Sequence, residues 1–365
     1  MSVITTVKGD LRPEELGFTL SHEHLIQNMG VFAKYREFMP PIEPEKVELK
    51  VENMRLLWGS GAFYNDEVLR CDTDEYLEMI TNEAFYYKEA GGKSIIECSV
   101  QGLNGRPVTD LKTISEKSGV HIIAGLGLYT PDTMPKEYLG QDEKGMKKLL
   151  EKQLDGLEGS DIKPGFLKAT VNMGRNPLEI TGYRAVSRLA AETGLPMLVH
   201  FIPERQYMKD FVKIAVQEFG VKPEKLLLCH VDGMLCEPQT LEQYMRTGEA
   251  PVSVELHKQL LDYGVMLSFD GFGSPFAGSS ELMNNYQPTD YQRMTGLHRL
   301  IDAGYKDQIM VGHDFGCTVS TVTWGRYGLT RVPEFVCPML KLLGYGDDIV
   351  DTITTDNPRR FLSHE

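Results

Sequence analysis

Residues able to hold a divalent metal recur in this chain at the ends of short apolar runs. Ser21-His22-Glu23-His24-Leu25 closes the first run. Side chains alternate along a strand, so two histidines spaced by one residue face the same way. A later run, Gly165-Phe166-Leu167-Lys168-Ala169-Thr170-Val171, buries a lysine whose ammonium is costly there unless it is paired or chemically altered. Three more runs end Met197-Leu198-Val199-His200, Leu227-Leu228-Cys229-His230 (followed by Val231-Asp232-Gly233) and Met310-Val311-Gly312-His313-Asp314. Taken singly, each reads as well as a satisfied core histidine or a helix cap. Together they describe imidazole and carboxylate ligands converging around one lysine.

Convergence requires a scaffold that brings strand ends to one face. Eight apolar runs rich in β-branched residues can be counted: Phe18–Leu25, Lys93–Val100, His121–Leu128, Gly165–Val171, Pro196–Phe201, Lys225–Val231, Val265–Phe269 and Gln308–Asp314. Between them lie helical patterns such as Gly182–Thr193 and Glu204–Phe219, each followed by a terminating glycine. Alternation of this kind predicts parallel βαβ units, and eight of them suit an α/β (β/α)8 TIM barrel better than an open doubly wound sheet. The groups singled out above end strands one, five, six and eight, with Lys168 within strand four.

The first run ends at Leu25 and the second begins only at Lys93, which marks a long insertion after strand 1, about residues 28–80. It holds Met29, Phe32, Tyr35, Phe38, Met39, Pro40 and Pro41, a helical-looking stretch over Glu45–Trp58, and an aromatic loop with Phe63 and Tyr64. Its place at a βα junction predicts a lid over the site, or else a subunit interface or extra packing layer. The 365 residues are therefore read as a single barrel domain, 1–365, with no internal repeat.

With 38 basic and 52 acidic residues the net charge is −14, a field that disfavours nucleic acid or an anionic membrane as partner. The six cysteines form no CxxC pair, against a disulfide framework or thiolate zinc site. No apolar run nears membrane-spanning length and no leader precedes the fold, so a cytoplasmic protein is expected.

In order and over nearly the whole chain, these residues resemble the phosphotriesterase family of the amidohydrolase superfamily, whose pattern is HxH, a strand-four lysine, two later histidines and a strand-eight aspartate. The resemblance implies a binuclear centre. His22, His24 and Asp314 would hold the more buried ion, His200 and His230 the more exposed one, and Lys168, carboxylated by carbon dioxide to a carbamate, would bridge both. Zinc is the default metal, with manganese, cobalt or iron as alternatives. A hydroxide bridging the ions would attack the substrate, Asp314 would accept its proton, and Asp232 would help shuttle it. His121, His257, His298, His313 and His364 are read as structural or surface residues.

The resemblance also frames the substrate. Tyr129 is similar to an aromatic residue that lactonases of the family place over the metals. Cys317, after strand eight, would line the pocket. After strand seven stands Asp270-Gly271, where lactonases acting on acyl-homoserine lactones carry an arginine after the aspartate. Members that open phosphorylated sugar lactones need cations, for which Arg175, Arg205 and Arg326-Tyr327 are candidates, Arg326 first. Phosphotriesterase-related proteins, associated with amide hydrolysis, carry glutamate at the lysine position, from which Lys168 departs. The expected function is a metal-dependent hydrolase opening a lactone or related carboxylic ester, with or without a phosphate. An N-acyl amidase, a promiscuous phosphotriesterase and a non-catalytic metal-dependent binding protein are the alternatives. A homodimer is expected by analogy with the family.

Overall fold

A computed structural model of the chain describes residues 2–31, 33, 47–274 and 286–365. It opens with an antiparallel hairpin, β1 (Ile4–Thr6) and β2 (Gly9–Leu11). Eight strands follow: β3 (Thr19–Glu23), β4 (Ser94–Glu97), β5 (His121–Gly127), β6 (Phe166–Asn172), β7 (Met197–Ile202), β8 (Leu226–Cys229), β9 (Met266–Phe269) and β10 (Ile309–Val311). They pair in sequence order, every pair parallel. Each expected run coincides with one of them, β6 and β7 extending one residue beyond it, and the sheet is the nearly closed barrel of a (β/α)8 fold. Helices such as Asp74–Glu89, Pro177–Thr193 and Asp290–Asp302 return the chain between strands, and the left-handed Gly194 (φ 73°) ends the second of these.

Alternation sorts the strand residues. Along β7, Met197, Val199 and Phe201 join the large core beneath the helices, whereas Leu198 belongs to a separate cluster with Ile96, Ile123, Phe166, Leu227, Met266 and Met310. This second cluster fills the barrel interior, and Ile4, Leu16, Phe361 and Leu362 close its lower end. Each such side chain stabilises the fold by about 1.5–3 kcal/mol of burial. The hairpin is thus a plug that strand counting did not anticipate. Val3 pairs with His364, and Lys225 donates to the carbonyls of Arg360 and Phe361 at 2.7 and 2.8 Å.

The seam between β10 and β3 is closed by bonds between residues 22–24 and residues 313–315 rather than by a long ladder. Asp314 N–H donates to His22 O (3.0 Å) and His24 N–H to Phe315 O (2.7 Å). Glu23, fully buried, accepts from His313 N–H (2.9 Å), His313 Nδ1 (2.8 Å) and Phe315 N–H (3.0 Å). A register shift between Leu20 and Glu23 lets both Ser21 and His22 reach interior partners, Ser268 and Asp270, while Glu23 turns to the seam.

Phe32, Tyr35, Phe38, Met39, Pro40 and Pro41 of the insertion lie outside the described residues. Of the helix expected over Glu45–Trp58, residues 45 and 46 are also outside them. The rest is short turns, Val51–Asn53 and Met54–Leu57, followed by Gly59–Tyr64, and not one helix. Asn53 bonds back to Glu48 O (3.0 Å), and glycines at 59 and 61 make continuation costly, about 1 kcal/mol each. Val47, Met54, Leu57, Ala62 and Val68 pack on Cys317 and Val319, so this part of the insertion is a layer over the segment after β10. No described helix is long and apolar enough to cross a membrane.

Glu83, in the helix Asp74–Glu89, holds the same segment by accepting from Val322 N–H at 2.8 Å, and burial pushes its carboxyl up to about 7. A carboxyl raised from 4.5 contributes stability that is present below pH 4.5 and lost as pH rises through 7. Glu83→Gln keeps the acceptor without the charge. Its unfolding free energy, measured by denaturant titration, should therefore gain on the wild type between pH 4.5 and 8, and parallel pH curves would show that Glu83 does not titrate there.

Candidate metal centre

Seven side chains meet at the C-terminal mouth of the barrel: His22 and His24 from the end of β3, Lys168 from β6, His200 from β7, His230 after β8, Asp270 after β9 and Asp314 after β10. The Nε2 atoms of His22 and His24 lie 3.2 Å apart, and Asp314 Oδ1 is 3.6 and 3.4 Å from them. The His230 ring centroid lies 4.7 Å from that of His22 and 4.5 Å from that of His200. Tyr129 stands edge-on to His200 at 5.1 Å. Lys168 has no exposed surface; its Nζ donates to Cys98 O at 2.7 Å and sits 5.5 Å from the Tyr129 ring centre.

Backbone geometry aims two of these groups. His230 (φ 62°) and Asp314 (φ 52°) are left-handed non-glycine residues, a conformation that costs about 1–3 kcal/mol and persists only where neighbours hold it. Asp270 grips the first, accepting from His230 N–H at 2.9 Å, and the seam bond to His22 O grips the second.

Burial pushes His24 down to about 3 and lowers His22 and His200 as well, with Lys168 adding to the effect. At neutral pH these three imidazoles are uncharged and carry lone pairs. Burial also acts downward on His230, but Asp270 and Asp314 outweigh it and raise the ring to about 9. Asp314 is pulled the other way. Burial favours its neutral form, yet His230, His24 and His22 hold the carboxyl well below its usual range. With 43% of its side chain exposed, Asp314 is also the member of the cluster that faces the opening.

Outer hydrogen bonds fix which ring nitrogens remain for the centre. His24 Nδ1 is 3.0 Å from Ser99 Oγ, His200 Nε2 is 3.1 Å from Asn172 Oδ1 and Asp270 Oδ1 is 3.0 Å from His230 Nδ1, while Asp270 Oδ2 stands 3.2 Å from His22 Nδ1, a nitrogen buried without a hydrogen-bond partner. His230 Nε2 is buried without a partner. An orphaned ring nitrogen, two Nε2 atoms pointed at each other, and two groupings close enough to share an ion (His22, His24, Asp314; His22, His230, Asp270) fit a metal site. The N and O donor set suits zinc, manganese, cobalt or iron.

The other expected site residues divide. Tyr129 is at the cluster. Asp232 stands two residues past His230, but its Oδ2 is taken by Arg293 Nε (2.5 Å) and Gly271 N–H (3.0 Å), so the shuttle expected of it begins from an ion-paired carboxylate. Cys317 does not join the cluster; it packs under the insertion, where burial pushes its thiol up to about 11. Arg175 is exposed and lies 4.4 Å over the Tyr207 ring, and Arg205 is tied to Glu237 and the Met234 carbonyl. Arg326 lies over Trp58 and Tyr327 and, with Tyr327, lines a surface cavity of about 460 Å³ beside Tyr86 and Glu89. None of these three arginines has a described contact with the histidine cluster. His257 bonds Val231 O, His298 bonds Tyr345, His313 braces the seam and His364 the hairpin, all apart from the centre. His121 begins β5 at the far end.

Sequence reasoning passed over Asp270 as a site residue, quoting it only as the neighbour of Gly271. The available signal was its place one residue past β9, the offset at which His230 follows β8. Arg293, inside a helix, offered no such signal.

Residues 2–362 match the model of the phosphotriesterase family. An N-acetyltaurine hydrolase from Danio rerio is 25% identical over 366 residues, covering 99% of this chain and 97% of that protein. Among solved structures, a resiniferatoxin-binding protein from Rhodobacter sphaeroides superposes with TM-score 0.83 at 25% identity, covering 99% of this chain and 94% of that one. A lactonase from Listeria monocytogenes gives 0.74 at 22% identity with both chains fully covered.

Asp270 bonds the His230 ring and backbone and stands beside His22 Nδ1, so Asp270→Ala should weaken metal retention about 10- to 100-fold, measured as metal per chain after dialysis against graded chelator. Unchanged retention would reduce Asp270 to packing.

Proposed function

The chain belongs to the phosphotriesterase family, and from that premise we propose that it is a binuclear metal-dependent hydrolase that attacks a carboxyl carbon, opening a lactone or related carboxylic ester. The observation that carries this reading is Lys168, fully buried among four histidines at the barrel mouth with Asp314 open beside it. An ammonium at that depth, without a carboxylate bonded to it among its described contacts, makes sense as the precursor of an anion. Carboxylation of Nζ replaces a cation by a carbamate and leaves one N–H, enough to keep the bond to Cys98 O.

His22, His24 and Asp314 would hold one divalent ion and His200 and His230 the other, with carboxylated Lys168 between them. When bound, such ions bring the pKa of a water toward neutrality and polarise a carbonyl oxygen. The chain's own residues supply the rest. Asp314 is a base: held ionised by its histidine neighbours and open to the mouth, its carboxylate takes the proton of the attacking water and returns it to the departing oxygen. The edge-on contact with His200 holds Tyr129 at the mouth, where its ring orients the substrate.

An amide-cleaving version of the same chemistry is the second reading, supported by the full-length similarity to N-acetyltaurine hydrolases. Arg175, Arg205 and Arg326 make their described contacts away from the histidine cluster, and whether one of them meets a phosphate on the lactone is an outcome of the screen below.

Metal-loaded protein should be screened against plain and 5-phosphorylated sugar lactones, simple esters, N-acyl amino acids and N-acyl amino sulfonates. Turnover of plain lactones is the expected result, and turnover of amides alone would replace the first reading by the second. On whichever substrate is found, Asp314→Asn should lower kcat about 10²- to 10⁴-fold with a smaller change in KM.

A further inference from the structure

We infer that Arg293 is a positioning residue for the metal centre: through Asp232 it sets the place of His230, and position 271 is a glycine because the Arg293–Asp232 pair fills the space of any side chain there. The inference rests on the binuclear reading above and deepens it.

Between β8 and β9 the ladder pairs only Leu227 with Met266 and Leu228 with Leu267. Beyond it, the strand ends are stitched by two carboxylates that each accept from the other strand's backbone. Asp270 accepts from His230 N–H at 2.9 Å, and Asp232 Oδ2 accepts from Gly271 N–H at 3.0 Å. The first stitch holds a left-handed residue, His230, whose Nε2 is the orphaned atom of the site. The second lies in the turn that follows directly, Val231–Met234.

Arg293 locks that second stitch. Its Nε is 2.5 Å from Asp232 Oδ2, with 4% and 2% of the two side chains exposed, and it stands in the first turn of the helix Asp290–Asp302, capped by Thr289. Its Nη1 donates to the Pro288 carbonyl and lies 4.0 Å from Asp290. A Cβ on residue 271 would fall 2.6 Å from Arg293 Nη2, 2.6 Å from Asp232 Oδ2 and 2.7 Å from Arg293 Nε. Neither partner of a buried pair has room to move aside. Gly271→Ala therefore attacks the same stitch as Arg293→Gln without deleting any polar group.

The test uses full-length protein with cobalt as the probe metal, reading loss of cobalt to a chelator and the visible absorption of the bound ion. Arg293→Gln and Gly271→Ala should each release one of two equivalents about 10- to 100-fold faster than wild type and alter the spectrum. Arg293→Lys should restore part of the retention, and the Asp232→Asn/Arg293→Gln double variant should be no worse than the poorer single one. Wild-type release rates and spectrum in both Gly271→Ala and Arg293→Gln overturn the inference. Should Arg293→Gln fail to fold, Gly271→Ala decides alone. A wild type that binds fewer than two equivalents indicts the binuclear reading instead. The stitch is then read in metal-free protein by ring-nitrogen NMR of His230, where an unchanged His230 signal in Gly271→Ala overturns it.

Discussion

A fully buried ammonium beside four imidazoles is the constraint around which this barrel is organised. Desolvating a charge of that kind costs several kcal/mol unless something compensates it, and Lys168 has a carbonyl at 2.7 Å as its hydrogen-bond acceptor. The neighbours add to the difficulty, since Lys168 itself helps to keep His22, His24 and His200 neutral. Lone pairs and a masked amine at one depth make a poor core and a good ligand cage. Turning the amine into a carbamate and supplying cations to the ring nitrogens resolves both problems together.

The surrounding carboxylates take separate tasks according to burial and partner. Glu23 accepts from His313 and Phe315 and so closes the seam that carries His22 and Asp314. Asp270 orients the His230 ring beside His22, Asp232 is held by Arg293, and Asp314 alone of the four is open to the mouth. Adjacent residues thus serve chemistry and structure in turn. His22 and His24 face the centre while Glu23 faces the seam, and Asp314 faces the mouth while His313 holds Glu23 and accepts from Val332 N–H.

Much of this was legible in the sequence because strand alternation is a strong local rule. Eight apolar runs each mark a strand to within a residue or two, and the groups ending them converge as βαβ topology requires. What escaped was non-local. The hairpin β1–β2 is two three-residue strands whose reason to exist is the lower end of the barrel, supplied by Phe361 and Leu362 from the other end of the chain. The helix expected before Trp58 is instead short turns, with Asn53 bonding back to the Glu48 carbonyl inside it. Cys317 and Arg326 were read by proximity to Asp314 in sequence, but the insertion packs onto that segment and draws both toward itself. Arg293 reaches the site from a helix, where no spacing rule marks a residue as functional.

The central claim is that Lys168 is carboxylated and, with the four histidines and Asp314, would hold two metal ions. Its most direct test is metal content and ¹³C NMR of protein produced with added divalent metal and ¹³C-bicarbonate. The account predicts about two ions per chain and one enriched carbamate carbon, with Lys168→Ala losing the carbamate signal and bound metal. Two ions without a carbamate signal, or a wild type that holds fewer than two, would contradict it.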